Sequence, residues 1–135
     1  MILIDKYENE RKTVHFCEIA KGEIPCAKVL ETDNFIVIKD INLFTQGHSL
    51  VIPKRHYKTF LDVPASLFGE YFEVTKKAVL KLIKETGSEG FNLLMSNFKV
   101  AQQDVPHVHL HIIPRNNGDV INPQGGIRNI LKYKG

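Results

Sequence analysis

The chain of 135 residues is predicted to fold as a single α+β domain with a five-stranded antiparallel sheet. Five short runs are rich in branched and aromatic apolar residues, and turn residues separate them. One segment with helical periodicity lies between the third and the fourth run. A chain of this length can bury a core without crosslinks, so one domain is the expected organisation.

The first three predicted strands lie in the first half of the chain. Lys28–Glu31 and Phe35–Lys39 are separated by a short polar turn, which favours a hairpin. His48–Ile52 is the third predicted strand. Pro53 is expected to end it, because proline has no backbone donor for a sheet ladder.

The period changes after the third strand and predicts a helix of about 20 residues. Apolar or small residues recur at helical spacing at Phe68, Phe72, Thr75, Val79 and Leu82. Pro64 suits the first turn of this helix, and Gly87 suits its C-terminal cap. Two more strands are predicted beyond the helix, at Phe91–Ser96 and at residues 107–113.

The composition is that of an ordinary soluble globular protein, with 24% charged and 43% hydrophobic residues. The net charge of +3 suits an anionic ligand but is too small to indicate a stable nucleic-acid partner. The two cysteines, Cys17 and Cys26, do not indicate a disulfide framework. No segment resembles a signal peptide or reaches the roughly 18 apolar residues of a membrane-spanning helix. We therefore expect a cytoplasmic protein with no membrane association.

Three histidines alternate with branched apolar residues in the segment 107–113. Side chains alternate between the two faces of a strand, so His107, His109 and His111 are predicted to share one face. The apolar residues between them can anchor the opposite face in a core. Because imidazole donates, accepts or attacks near neutral pH, this segment is the candidate active site.

A metal site and a structural role are the simpler explanations of such a cluster. On a strand, His107 and His111 start about 13 Å apart, whereas zinc–nitrogen bonds are about 2 Å long. One ion cannot hold all three without bending the strand, although two of them and a remote ligand could bind zinc. Three histidines would also fill an apolar core poorly.

Nucleophilic catalysis remains as the third explanation. A neutral imidazole is a nucleophile when one nitrogen is held as a donor and the other faces an electrophile. Phosphorus is the apt electrophile, because phosphoryl transfer depends chiefly on positioning and charge stabilisation. Gln102 and Gln103 could supply amide donors, and His48 could bring a fourth imidazole alongside. Taken alone, each of these two segments is more simply a polar loop or a strand end.

The segment His107–Ile113, with Pro114 and Arg115 after it, resembles the signature of the HIT (histidine triad) nucleotide hydrolases and transferases. Gly47–His56 and Phe16–Pro25 resemble two further hallmarks of that family. The resemblance implies a five-stranded antiparallel sheet with one long helix and a short helix, paired as a homodimer. It places a HIT domain at residues 16–115, an N-terminal extension at 1–15 and a C-terminal arm or loop at 116–135.

The resemblance implies a role for each matching residue. His109 matches the nucleophile, which forms a nucleotidyl-histidine intermediate at the α-phosphate. The other implied catalytic positions, which orient the nucleophile or contact phosphate and leaving group, are His107, His111, His48 and Gln103. The implied substrate-binding positions are Asp40 for the ribose, Phe16, Ile19 and Ile24 for the base, and Ser96 and Asn97 near the phosphate.

The chain departs from the family's pattern beside this site. Gln102 and Phe98 stand where the family often has glycine, and a missing glycine restricts the backbone wherever a positive φ is needed. Asp104 places an anion near the phosphate site, where we expect it to point at the leaving group or solvent.

Many HIT relatives carry a structural zinc bound by Cys-x-x-Cys and two histidines. Here Cys17, His56 and His107 occupy matching positions, but Val14 stands at the first cysteine position. Three ligands would bind zinc weakly, so we expect no tight structural zinc. No other cofactor is expected.

These features predict a HIT-type hydrolase that acts on phosphorus–nitrogen or phosphoanhydride bonds of nucleotides. Its expected ligand is a purine nucleotide or conjugate, such as a nucleoside phosphoramidate or a dinucleoside polyphosphate. A nucleotidyl transferase would differ only in the acceptor that resolves the intermediate. A nucleotide-binding regulatory module with little turnover and a metal-binding protein are the alternatives. The intact constellation of histidines favours chemistry, since binding alone does not require it.

Overall fold

The computed structural model describes residues 27–40 and 46–119, which form an antiparallel sheet with a helix packed on one face. The strands follow the order β1-β2-β3-β5-β4 across the sheet. Their bounds are β1 Lys28–Glu31, β2 Phe35–Lys39, β3 Ser49–Pro53, β4 Gly90–Leu94 and β5 Leu110–Arg115. This architecture confirms the predicted α+β class and the five-stranded sheet. The predicted N-terminal extension and most of the predicted C-terminal arm lie outside these residues.

Helix α1 spans Phe68–Thr86, between β3 and β4. It begins later than Pro64 because that residue caps a separate 3-10 turn at Ala65–Leu67. Gly87 ends the helix as predicted, with a left-handed φ of 68° and an N–H that donates to the carbonyl of Ile83. In the part of the chain described, no helix has the length and apolarity to cross a membrane.

The fourth and fifth strands are shifted from their predicted bounds. The backbone N–H of Val108 donates to the carbonyl of Tyr57, outside the sheet ladder, so β5 begins only at Leu110. Leu94 pairs with His111 at the end of the β4–β5 ladder. The same register would bring residue 96 opposite His109, which precedes β5, and β4 ends at Leu94 instead of Ser96.

The two faces of the sheet have different roles. Val37, Val51 and Ile112 belong to the core that α1 covers. Ile38, Leu50 and their neighbours form a second apolar cluster on the other face. Leu50 pairs directly with His111, and paired residues in an antiparallel ladder share a face. The histidine side chain in β5 is therefore presented on the face opposite the helix.

Gly47 sets the position of the first buried histidine. Its φ is 84°, a left-handed conformation that side chains disfavour. A Cβ atom at this position would lie 2.9 Å from Cγ2 of Thr86 and 3.3 Å from Cγ of Pro114. Glycine therefore lets the chain pass close to the end of α1 and turn His48 into the interior.

Candidate active site

Four histidines are buried together where β3 and β5 meet. His111 lies within β5, His48 directly precedes β3, and His107 and His109 lie in the segment that leads into β5. The prediction that 107–113 is one regular strand is therefore wrong for its first half. The alternation nevertheless holds, because Val108, between His107 and His109, is fully buried in the core beneath α1.

The imidazole of His107 is fixed by two contacts. Its Nε2 lies 2.9 Å from the carbonyl oxygen of Pro53. A carbonyl only accepts, so Nε2 carries the proton and donates. Its Nδ1 lies 3.1 Å from Nδ1 of His56, which must then be the donor in that pair.

His109 takes its tautomer from the backbone of His107. Its Nδ1 lies 2.8 Å from the carbonyl oxygen of His107 and must be the donor. In the neutral ring the lone pair then resides on Nε2. That nitrogen lies 3.6 Å from Oδ1 of Asp104, whose side chain is half exposed. Nε2 of His109 therefore carries the lone pair that nucleophilic attack requires.

His48 and His111 form a buried pair, with Nε2 of His48 2.9 Å from Nδ1 of His111. Nδ1 of His48 is buried without a hydrogen-bond partner in the described part of the chain. An unpaired acceptor is tolerated better in a protein interior than an unpaired N–H. We therefore assign the shared proton to Nε2 of His48, which also faces Oδ2 of Asp40 at 3.8 Å. His111 then carries its own proton on Nε2.

Burial keeps three of these histidines neutral. It is the main cause that lowers the pKa of His48 and His107 to about 4 and that of His111 to about 3. Neighbouring histidines lower these pKa values further. The hydrogen-bond pattern of neutral rings therefore persists at physiological pH.

Asp40, His48 and His111 could also be considered as a metal site, because one ligand atom of each lies within 4.8 Å of the others. A metal-bound imidazole normally donates its second N–H to an acceptor. For His48 that nitrogen would be Nδ1, which has no partner among residues 27–40 and 46–119. The cluster fits a hydrogen-bonded pair of imidazoles better than a metal centre.

The side chain of Gln103 closes the loop that precedes the histidines. Its Oε1 accepts from the backbone N–H of Phe98 at 2.7 Å, and its Nε2 donates to the carbonyl of Lys58 at 2.6 Å. Its own N–H donates to the carbonyl of Phe98. The amide thus holds residues 98–103 against the segment that follows β3.

This loop contains both positive-φ residues other than glycine that the structure describes. Phe98 has φ 71° and ψ 155°, and Gln102 has φ 70° and ψ 29°. These are the two positions at which the sequence lacks an expected glycine. The positive φ that would make glycine useful is present at both.

The remaining predicted site residues are placed as follows. Oδ1 of Asn97 accepts from the backbone N–H of Phe60 at 2.7 Å, and Ser96 is partly buried beside it. Asp40 is buried against His48. The base-contacting positions and the first zinc positions lie outside the described residues; they are Phe16, Ile19, Ile24, Val14 and Cys17.

Sequence reasoning missed the carbonyl groups that orient the histidines. Pro53 and His107 contribute backbone oxygens to the site, and Lys58 contributes one to the loop. Every residue has a carbonyl, so no side-chain pattern could have marked these three.

Comparisons with known proteins agree with this geometry. Residues 21–118 match the family model described as HIT domain. The chain is 42% identical to the adenylylsulfatase HINT3 of Arabidopsis thaliana over 78% of its own length and 54% of that protein. It is 39% identical to the adenosine 5'-monophosphoramidase hnt1 of Schizosaccharomyces pombe, over 76% of its length and 74% of that protein. A HIT family protein of Bacillus anthracis superposes with a TM-score of 0.73 at 33% identity, covering 88% of this chain and 92% of that one.

We expect the free energy of unfolding to fall as the pH is lowered from 6.5 towards 4. Histidines of the unfolded chain take up protons near pH 6.5, whereas the folded-state pKa values of His48, His107 and His111 lie at about 4, 4 and 3. The unfolded chain binds more protons in this window, so the slope approaches about 1.4 kcal/mol per pH unit for each histidine. Urea titrations between pH 7 and 5 measure this slope. Most carboxylates titrate below that range, so they contribute little to it.

The variant His111→Asn is the matched control for this slope. It removes one of the three neutral histidines and should lower the slope by about a third. A free energy of unfolding that stays constant between pH 6.5 and 5 would contradict the neutral buried cluster.

We expect Phe98→Gly and Gln102→Gly each to raise the free energy of unfolding by about 0.5–1 kcal/mol. Relief of the left-handed conformation should exceed the entropy that glycine adds to the unfolded chain. Val100→Gly is the control, because this exposed residue of the same loop has no positive φ. It should lose about 0.5–1 kcal/mol. Equal losses in all three variants would show that the loop is not strained.

Proposed function

The chain belongs to the HIT domain family, and from this premise we propose that it is a nucleotide hydrolase or nucleotidyl transferase that reacts at an α-phosphate. The observation that carries the proposal is the hydrogen bond from Nδ1 of His109 to the carbonyl of His107. It leaves the lone pair of His109 on Nε2, the nitrogen that lies 3.6 Å from Oδ1 of Asp104.

In the proposed reaction, Nε2 of His109 bonds to the α-phosphorus while the bond from phosphorus to the leaving nitrogen or oxygen breaks. The carbonyl of His107 stabilises the positive ring that forms. The leaving atom takes a proton from water, which leaves a hydroxide, and Nε2–H of His111 would donate a hydrogen bond to the leaving atom or to the phosphate. That hydroxide, or an acceptor that gives its proton to it, then attacks phosphorus while the bond from phosphorus to Nε2 breaks, which releases His109 as a neutral imidazole.

Neutral flanking rings suit this role. A cation beside Nε2 of His109 would withdraw electron density from the nucleophile, whereas neutral N–H groups still stabilise charge on phosphate oxygens. His48 supports the arrangement by holding His111 in the tautomer with its proton on Nε2. This is the physical reason for burying a pair of imidazoles behind the site.

We assign the substrate as a purine nucleotide conjugate, with nucleoside phosphoramidates and dinucleoside polyphosphates as candidate classes. The relatives named above are a monophosphoramidase and an adenylylsulfatase, whose names share an adenylyl group and differ in the leaving group. Asp40 would hold the ribose hydroxyls, and Gln103, Ser96 and Asn97 would lie near the phosphate. Phe16, Ile19 and Ile24 would contact the base.

We expect His109→Ala to abolish turnover of an adenosine phosphoramidate while the affinity for AMP changes by less than about tenfold. A nucleophile acts on the reaction more than on ground-state binding. His56→Ala is the comparison, because it removes an exposed imidazole that contacts His107 but not the reacting side of His109. It should retain most of the activity. Retention of a tenth of the activity by His109→Ala would remove the assignment.

The intermediate can be trapped when the acceptor step is slow, for which His111→Ala is the natural variant. A nucleotidyl-histidine is a phosphoramidate, so acid should release the nucleotide whereas mild alkali should not. Mass spectrometry of digests kept away from acid locates it. An adduct on another histidine would reassign the nucleophile, and binding without adduct or turnover would favour a regulatory module.

We also propose that the chain forms a homodimer through β4. This edge strand exposes Phe91 and Leu93 on the face that α1 covers over the other four strands. An exposed edge strand presents unpaired backbone groups and apolar side chains to water. A second copy of the chain would pair with these groups and bury the side chains.

Light scattering of the wild-type chain should give twice the chain mass of 15.4 kDa. Leu93→Lys should give the mass of a single chain, because it places a charge in the apolar contact. Leu61→Lys, at an exposed site in the turn before α1, should stay dimeric. A wild-type monomer at micromolar concentration would contradict the dimer without affecting the chemistry.

A further inference from the structure

Two side chains that the resemblance places near the phosphate are engaged with backbone groups. Oδ1 of Asn97 accepts from the N–H of Phe60 at 2.7 Å. The amide of Gln103 spans the N–H of Phe98 and the carbonyl of Lys58. Because an N–H only donates, both side-chain oxygens must be acceptors, which fixes the orientation of each amide. Gln103 is 5% exposed, so a bound substrate could touch little of it.

Both amides reach the same stretch of chain, residues 53–60, which runs from the last residue of β3 onward and which we call the bridging segment. This segment also holds the histidines. The carbonyl of Pro53 accepts from Nε2 of His107, and the carbonyl of Tyr57 accepts from the N–H of Val108. The loop that carries the two amides and the segment that carries the histidines are therefore anchored to one common frame.

The bridging segment is itself held in place where Asn97 meets it. Phe60 opens a 3-10 turn, and its N–H needs an acceptor outside that turn. The side chain of Thr59 accepts from the N–H of Leu61, and Asn97 supplies the acceptor for Phe60. The ring of Phe60 stacks on that of Phe68 at the start of α1, with the ring centroids 5.6 Å apart. The position at which Asn97 attaches the loop is therefore fixed.

The loop that these amides hold reaches the reacting nitrogen. Asp104 follows Gln103 directly, and its Oδ1 lies 3.6 Å from Nε2 of His109. A misplacement of about 1 Å at a reacting centre can cost a large part of the rate, even when it arises away from the chemistry. We propose that Asn97 and Gln103 are positioning residues, which attach the loop at residues 97–103 to the bridging segment and do not bind the phosphate of the substrate. This inference rests on the proposed function and assigns roles within the same site.

Asn97→Asp and Asn97→Ala distinguish positioning from phosphate contact by the order of their effects. Aspartate keeps an oxygen for the N–H of Phe60, so kcat for an adenosine phosphoramidate should stay within about threefold of the wild-type value. Alanine removes that oxygen and should lower kcat about tenfold. A donor to phosphate would give the opposite order, because a carboxylate repels phosphate whereas alanine only loses a hydrogen bond.

Binding of AMP and of adenosine isolates the contact with phosphate. The ratio of the two Kd values should change by less than about threefold in Asn97→Ala and Gln103→Met, because neither residue is assigned to phosphate. Loss of a hydrogen bond to a charged phosphate would instead change this ratio by about tenfold or more. Gln103→Met, which has neither the acceptor nor the donor of the amide, should nevertheless lower kcat about tenfold.

Amide hydrogen exchange measures the two attachments directly. Exchange at Phe60 should become faster in Asn97→Ala and keep its wild-type rate in Asn97→Asp. Exchange at Phe98 should become faster in Gln103→Met and keep its wild-type rate in Gln103→Glu, whose carboxylate can still accept from that N–H. Asn117→Asp is the control for added charge. It lies in the exposed turn after β5 and should leave kcat, the Kd ratio and both exchange rates unchanged.

The possible failures are distinguishable. If Asn97→Asp were less active than Asn97→Ala, and its affinity fell for AMP but not for adenosine, Asn97 would be a phosphate ligand and the inference would be overturned. Unchanged kcat in Asn97→Ala and Gln103→Met would overturn the positioning role and leave the proposed function intact. Turnover of no adenosine phosphoramidate by the wild type, with no adduct on His109, would overturn the proposed function. The Kd ratio and amide exchange need no turnover, so they would still decide between attachment of the loop and phosphate contact.

Discussion

The hydrogen bond between Nδ1 of His109 and the carbonyl of His107 is the constraint on which the site depends. A free imidazole exchanges its proton between two nitrogens, but a carbonyl can only accept. The bond therefore decides which nitrogen of His109 holds the lone pair. The ring of His107 is held in turn by its own hydrogen bond to the carbonyl of Pro53. Reactivity at one atom is thus set by the backbone at two other positions.

The burial of four imidazoles has a cost and a use. Removing them from water disfavours their charged forms, so the site relies on neutral hydrogen bonds that must be satisfied within the protein. Adjacent strands provide these hydrogen bonds. His48 precedes β3 and His111 lies in the paired β5, so that Nε2 of His48 lies 2.9 Å from Nδ1 of His111. The core beneath α1 holds the two strands in register from the opposite face. Packing on one side of the sheet therefore maintains proton positions on the other.

The loop before the histidines combines backbone strain with a polar clamp. Phe98 and Gln102 adopt conformations that glycine would adopt at lower cost, and Gln103 holds the loop closed through its amide. This arrangement holds the backbone next to Asp104, whose Oδ1 lies 3.6 Å from Nε2 of His109. Strain in this short segment thus accompanies a carboxylate beside Nε2 of His109, and the two features belong to the same seven residues, 98–104.

The sequence by itself determined the fold class, the first two strands, the end of the helix at Gly87 and the identity of the histidine cluster. These follow from local periodicity and from residues whose backbone preferences are strong. The resemblance to the HIT family also marked Phe98 and Gln102 as positions where glycine was missing, although the φ values came only with the structure. The start of β5 was not predictable, because the N–H of Val108 donates to the carbonyl of Tyr57, which lies 51 positions away in the chain. Tautomers, the shared proton of His48 and His111, and the approach of Asp104 to His109 were likewise decided by tertiary structure. Each depends on a distance between groups from different segments, often a backbone carbonyl, and such distances leave no trace in residue type.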